Sequence, residues 1–298
     1  WPNAPYTNAV EAAHTIQQAL AVTQDGDDVI IYPGTYTPSE TLEVTNNITL
    51  RGIFLTLEKA DHSIINGEDL YHVLELGTND CQVVGLTIKN GKGAGIHCDD
   101  NTPFVWNCII SGNEGNGMYK GSASGCIFTN NYSYYGGGAN STEAEFCLFV
   151  NNTATWGGGM QDGTAYKCTF RNNSAQYGAG IKGGSARNST FINNIATTYG
   201  GGAYQSALNQ CALTANQGGV QGGGMWGGTA NNCTVTANMA SQGGGMYSGT
   251  ANNSILWNNR AVLEENNIEG NTKTYNSCYP EAEIGDGNHN ITNNPQLV

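Results

Sequence analysis

Residues Cys168–Gly184 read CTFRNNSAQYGAGIKGG. The same unit begins CLFVNN at Cys147 and STFINN at Ser189, and it is written at least seven times. Each copy starts with Cys or Ser and places an apolar residue two positions later. Paired Asn follow, then an aromatic or Gln, a Gly triplet, and a small or Met residue. The opening column runs Leu86, Cys108, Cys126, Cys147, Cys168, Ser189, Cys211, Cys233 and Ser254, in steps of 18 to 22 residues. A coil of about 20–25 residues carrying strands and turns predicts a parallel β-helix. Gly triplets would break the helices of an α-solenoid.

Alternation along a strand assigns faces to the columns. The Cys column and the residue two later (Ile110, Phe128, Phe149, Phe170, Phe191, Leu213, Val235, Leu256) are expected inside, and the residue between them outside. Asn131, Asn152, Asn173, Asn194, Asn216, Asn238 and Asn259 form a turn column whose amides can bond up the solenoid. After the Gly triplets, Met118, Ala139, Met160, Ile181, Ala203, Met225 and Met246 are expected to point in. The next residue points out: His97, Tyr119, Asn140, Gln161, Lys182, Tyr204, Trp226 and Tyr247.

Outward from this region the pattern loosens. Residues 7–24, TNAVEAAHTIQQALAVTQ, read as an amphipathic helix with Val10, Ala13, Ile16, Ala19 (or Leu20) and Val22 (or Thr23) along one face. Asp25-Gly26-Asp27-Asp28 ends it, and VIIYPGTYTPSETLEV follows as strand, turn and strand. Further coils lie at 48–52, 63–67 and 83–91, and the register fails after Asn259. The expectation is one all-β domain over residues 1–298: a single-stranded right-handed parallel β-helix of about 10 coils at 29–259. An N-terminal capping helix covers 7–24, and 260–298 form an irregular last coil and tail.

Composition narrows the partners. The chain carries 11 Lys+Arg against 24 Asp+Glu, a net charge of −13, which repels nucleic acid and anionic membrane. No apolar run reaches the roughly 18 residues of a membrane span. Six of the nine Cys stand in the repeat column. They read as small buried thiols, as bridges between coils, or as nucleophiles. Parallel Cβ vectors, Ser189 and Ser254 in the same column, and six equivalent positions favour buried free thiols. Cys81, Cys98 and Cys278 fall outside the column and are available to pair.

A helix followed by GDDVIIYPGTY and NITLRG resembles the opening of secreted right-handed parallel β-helix proteins, in which the helix caps the open end. F-x-x-N at Phe128, Phe149, Phe170 and Phe191, with GGA at 137–139 and 201–203 and GGM elsewhere, resembles the repeats of bacterial polymorphic outer-membrane proteins. That resemblance implies a secreted or cell-surface location and an adhesive role. The fold itself hosts lyases, hydrolases, adhesins and structural proteins.

Candidate sites follow from the outward column. A line of aromatic and amide groups (His97, Tyr119, Asn140, Gln161, Lys182, Tyr204, Trp226, Tyr247) suits surface glycans or a partner. A second column, Tyr135, Trp156, Tyr177 and Tyr199, reads as a structural ring ladder at the turn. A lyase would need a basic residue beside carboxylates, for which Lys120, Asp162 and Lys182, on one face over three consecutive coils, are the candidates. No cofactor is expected, and Ca²⁺ is the one the sequence admits, at Asp99, Asp100 and Asn101 or at Asp25, Asp27 and Asp28, all of which otherwise read as solvated turns. His97-Cys98 lacks the further spaced ligands of a zinc site. Uniform repetition, scarce charge, an outward column with Ile109, Ile127, Leu148, Val150 and Ile192, and few free positions per coil favour a non-catalytic surface or matrix protein, an adhesin or a self-assembling subunit. A carbohydrate-active enzyme or glycan-binding module is the alternative.

Overall fold

The computed structural model describes residues 12–53, 63–68, 70–77, 80–263, 267–280 and 288–295. The chain winds into a right-handed parallel β-solenoid of about 11 turns, with sheets of 12, 11, 11 and 7 strands. We call them A, B, C and D. Sheet A starts at Asp28–Ile31, sheet B at Gly34–Tyr36, sheet C at Leu42–Val44 and sheet D only at Tyr132–Tyr135. Every strand pairs in parallel with its counterpart one coil on.

One coil shows how sequence makes the turn. Met160–Gln161 belongs to sheet C, Thr164–Tyr166 to A, Thr169–Arg171 to B and Ser174–Tyr177 to D. The four corners are single left-handed residues: Asp162 at φ 48, Lys167 at 51, Asn172 at 55 and Gly178 at 62. Asn and Gly enter this region at low cost, and isolated corners of this kind bend the chain without a long loop. The paired Asn therefore divide their work. The first turns the chain, and the second enters the core.

The Cys register is the register of sheet B, where Ile109 pairs with Ile127, Leu148 with Thr169 and Ala212 with Thr234. Phe128, Phe149, Phe170 and Phe191 are fully buried and stack at 4.7 Å centroid spacing. Sheet A supplies a column of inward Ala in the same coils: Ala123, Ala144, Ala165 and Ala186. Where Phe gives way to Leu213, sheet A enlarges to Leu208. Such volume compensation keeps the interior dense.

The second Asn of each pair is buried and fully bonded. Asn173 Oδ1 accepts from the Asn152 backbone N–H at 3.0 Å and from Asn152 Nδ2 at 3.1 Å. Its own Nδ2 donates to Phe149 O at 2.9 Å and to Asn194 Oδ1 at 3.0 Å. The same pattern runs from Asn113 to Asn259 and closes on Asn267.

All nine Cys are buried thiols outside any disulfide, including Cys81, Cys98 and Cys278. The column is more than apolar filling. Cys126 Sγ donates to Ser124 O and Val105 O, both at 3.4 Å. Ser254 Oγ donates to Asn252 O and Ala230 O in the equivalent place, so Ser replaces Cys without stranding a partner. Burial pushes the Cys98 and Cys126 thiols well up, which leaves little thiolate to react.

Both ends differ from expectation. The helix spans Ile16–Leu20, capped by Thr15, whose side chain accepts from the Gln18 N–H at 3.1 Å. Ile16, Ala19 and Leu20 pack on the core, whereas Val22 is 41% exposed. Val10 lies outside the described residues. Beyond Asn259 the solenoid continues through Arg260–Ala261, Ile268–Glu269 and Lys273–Tyr275, strands of sheets D, C and A. Ser277 prolongs the Cys column by accepting from the Ser254 N–H at 3.1 Å.

Two outcomes check this account. Asn173→Leu keeps volume but strands buried groups at about 1–3 kcal/mol each. Its urea midpoint is expected to drop by a stability loss on the order of 3 kcal/mol. A thiol-reactive aromatic disulfide is expected to label almost none of the Cys in the native state and all nine after unfolding.

Candidate functional site

The outward row of sheet C is continuous. Register pairs His97 with Tyr119, Tyr119 with Asn140, Asn140 with Gln161 and Gln161 with Lys182. It continues to Tyr204, Trp226 and Tyr247. Glu43 and Glu75 precede His97 in the same line, and Glu269 follows Tyr247. Most members are half-buried, and Gln161 is buried.

The two aromatic columns meet across the Gly corners. Tyr204 of sheet C contacts Tyr177 at 5.7 Å and Trp156 at 6.1 Å, both of sheet D, and stacks on Trp226 at 4.8 Å. Trp156 stacks on Tyr177 at 4.1 Å, and Tyr199 on Trp226 at 5.5 Å. Gly157 makes the corner at φ 68, and a Cβ there would lie 2.3 Å from Met160 O. The amides extend the ladder. Trp226 Nε1 donates to Gln221 Oε1, Gln221 Nε2 to Gln242 Oε1, and Gln242 Nε2 to Glu269 Oε1. Trp156 on Tyr177, Tyr199 on Trp226 and Tyr204 on Trp226 stack face to face, whereas Tyr204 meets Trp156 edge-on. Burial, then Tyr177 and Tyr199, raise the Tyr204 phenol above its ordinary value.

Of the three lyase candidates, two come together. Asp162 Oδ1 lies 3.5 Å from Lys182 Nζ, and Asp162 Oδ2 accepts from Gln161 Nε2 at 2.8 Å. Lys182 Nζ also sits 5.7 Å over the Trp156 ring. Lys120 stands two coils from Asp162 rather than in a run of three. Its Nζ donates to Asp99 O at 2.7 Å and lies 5.3 Å over the Tyr119 ring.

Asp99 and Asp100 diverge. Asp100 Oδ1 accepts from the Thr102 N–H at 2.9 Å and from Thr102 Oγ1 at 2.5 Å, and these bonds hold its carboxyl below the usual range. Asp99 turns instead toward Glu75 and His97, and the three offer donor atoms within 4.8 Å of one another. The His97 ring lies between His72, at 4.6 Å, and Tyr119, at 5.2 Å.

A concave surface lies elsewhere, on sheet A. A groove of about 690 Å³ runs along the solenoid axis from Phe104 to Asn231. Its walls are the two outward positions of each strand, including Glu143, Glu145, Tyr166, Arg187 and Asn209. The sequence signal was an Ala three places before Cys126, Cys147, Cys168, Ser189, Cys233 and Ser254 of the repeat column. Those Ala define a strand whose neighbours on either side must face out. Tyr166 meets Phe146 edge-to-face at 6.0 Å, and Lys167 lies 5.2 Å from both rings. Among the described residues no ring stacks on the face of Phe104 or Tyr166.

No family model and no curated protein matches the chain. Among solved structures it is similar to the Dettilon tailspike protein, with a TM-score of 0.52 and 10% identity over 89% of this chain. The chain spans 62% of that tailspike's length. It is also similar to a mannuronic acid specific polysaccharide family 6 lyase from human gut microbiota, at TM-score 0.49 and 11% identity over 88% of this chain and 76% of the lyase. The pectate lyase Pel9A gives TM-score 0.46 and 10% identity, covering 91% of this chain and 74% of that one. The tailspike likeness is one of fold. Among the described residues no helix is long and apolar enough to cross a membrane.

His72 yields a pH test. Its Nδ1 accepts from the Ala94 N–H at 3.2 Å, which needs a neutral ring. Burial, then His97, lower its pKa from the ordinary 6.5, with Glu75 opposing. The unfolded chain therefore takes up the proton first. Stability is full above pH 6.5 and is lost as pH falls from there toward the folded value. Urea midpoints at about pH 7.5 and about pH 5.5 should differ in this direction, and His72→Gln should reduce the difference.

Proposed function

We propose that this chain is an extracellular, non-catalytic glycan-binding β-solenoid that holds an extended neutral glycan along the sheet A groove. The groove's lining carries the reading. Strands about 4.8 Å apart repeat the same two outward positions at a fixed spacing, a periodic frame suited to a periodic polymer, while the side chains on it change from Ser124 and Glu145 to Tyr166, Arg187 and Asn209. Phe104 offers an apolar face and Tyr166 a ring bordered by Phe146 and Lys167, and the surrounding carboxylates, amides and Arg187 accept from and donate to hydroxyls. Two adjacent carboxylates, Glu143 and Glu145, and a net charge of −13 disfavour a polyuronate.

Absence of catalysis rests on the same geometry. Lys182 is committed to Asp162 and the Trp156 ring. Glu143 and Glu145 are exposed, whereas a carboxylic general acid works from an apolar setting. An adhesive surface role of the kind the F-x-x-N and GGA motifs bring to mind fits this reading, with glycan rather than a second copy as partner. The strip on sheet C, from His97 to Tyr247, is a second face on which edges and amides offer polar contacts.

A glycan array followed by calorimetry tests the proposal. Tyr166→Ala and Arg187→Ala are each expected to weaken binding about tenfold, a loss of ~1.4 kcal/mol, with unchanged melting temperature. Unchanged affinity in both, with loss in Lys182→Ala or Trp226→Ala, would move the site to the strip. Reducing-end release or unsaturated product that disappears in Glu143→Gln or Glu145→Gln would replace binding with catalysis.

A further inference from the structure

The N-terminal end of the sheet C row carries a donor set that glycan binding leaves unused. Glu75 pairs directly across from His97 on neighbouring parallel strands. Cys98 points into the core and is buried, so Asp99 returns to the outward side beside them. One face of two adjacent strands thus converges two carboxylates and an imidazole, with ligand atoms within 4.8 Å of one another.

His97 gives the second, independent observation. Its Nδ1 is shut off from solvent and, among the described residues, makes no hydrogen bond, although Glu75 Oε1 is 3.7 Å away. A buried polar atom without a partner costs stability unless something else meets it. The His97 side chain as a whole is 25% exposed. It is clamped between the His72 and Tyr119 rings, inclined by 21° and 11° to them. The nitrogen is therefore aimed before any ligand arrives.

We propose that Glu75, His97 and Asp99 bind one first-row divalent metal ion of the Zn²⁺ or Mn²⁺ kind. Bonds of about 2.0–2.2 Å put the donors of such an ion roughly 3–3.5 Å apart, which rotation of the exposed Asp99 carboxylate achieves. The imidazole argues against Ca²⁺, which gathers six to eight oxygens. Asp100 is excluded by its bonds to Thr102. Cys98 is excluded by its inward direction and raised thiol. Three protein ligands leave positions for water. Lys120 is tied to the Asp99 carbonyl oxygen and forms the cationic border of the site.

The test uses the full chain, free of any histidine tag and stripped of metal. Calorimetry with Zn²⁺ and electron paramagnetic resonance with Mn²⁺, which avoids thiols, report binding directly. One ion per chain is expected, with a rise in melting temperature. His97→Gln and Glu75→Gln should each weaken both ions by about tenfold or more, and Asp100→Asn should not. Glu75→Gln preserves shape, so it answers the question even if His97→Gln destabilises the clamp. No binding of either ion, undiminished binding in Glu75→Gln, or Ca²⁺ bound more tightly than Zn²⁺ would each overturn the proposal.

Discussion

Everything in this solenoid depends on satisfying backbone and side-chain polar groups inside a core only one coil wide. A strand-rich coil turned by single residues brings peptide groups into the interior at every corner. Buried without partners, each would cost on the order of 1–3 kcal/mol. The Asn ladder meets this demand, because one amide side chain offers two donors and a double acceptor in a plane. Each Asn caps the N–H of the Asn before it and closes a sheet B carbonyl. The Cys and Ser hydroxyl-or-thiol column does the same on the opposite side of sheet B. With both edges of the strand secured, the Phe stack between them can be wholly apolar.

This constraint explains what the sequence disclosed and what it hid. Sheets B and C were legible because their columns pair an unusual residue with a fixed spacing: Cys and Phe in one, Met after a Gly triplet in the other. The Asn ladder was legible for the same reason. Sheet A was not, since Ala123, Ala144 and Ala165 attract no notice singly, and a coil with three marked columns already looks complete. The extra coil after Asn259 was hidden because Ser277 and Asn267 keep the chemistry while the spacing changes.

The surface follows the same division. The sheet C row could be written down residue by residue, yet its contacts could not. Tyr204 reaches Trp156 and Tyr177 by crossing from one sheet to another over a Gly corner, a relation between coils rather than within one. Concavity on sheet A is a property of the folded surface and has no spacing to betray it. Glu75 escaped although it stands an ordinary 22 residues before His97, because its coil reads DLYHVLEL and lacks the Gly triplet that marks the column. His97 and Asp99 were visible individually, and only the missing neighbour made them a set.

The Asn ladder also has a direction. Each side chain accepts from the coil before it, so a coil's inner donors stay unmet until the following coil is in place. The growing edge is always the deficient one. A chain emerging from its N-terminus would zip vectorially, each new coil locking its predecessor and exposing a fresh unsatisfied rung. The closing bonds of Asn267, from Nδ2 to Leu256 O and from Asn259 Nδ2 to its own Oδ1, act as a terminator. Whole coils can be gained or lost upstream of that stop without disturbing it, whereas a fraction of a coil cannot.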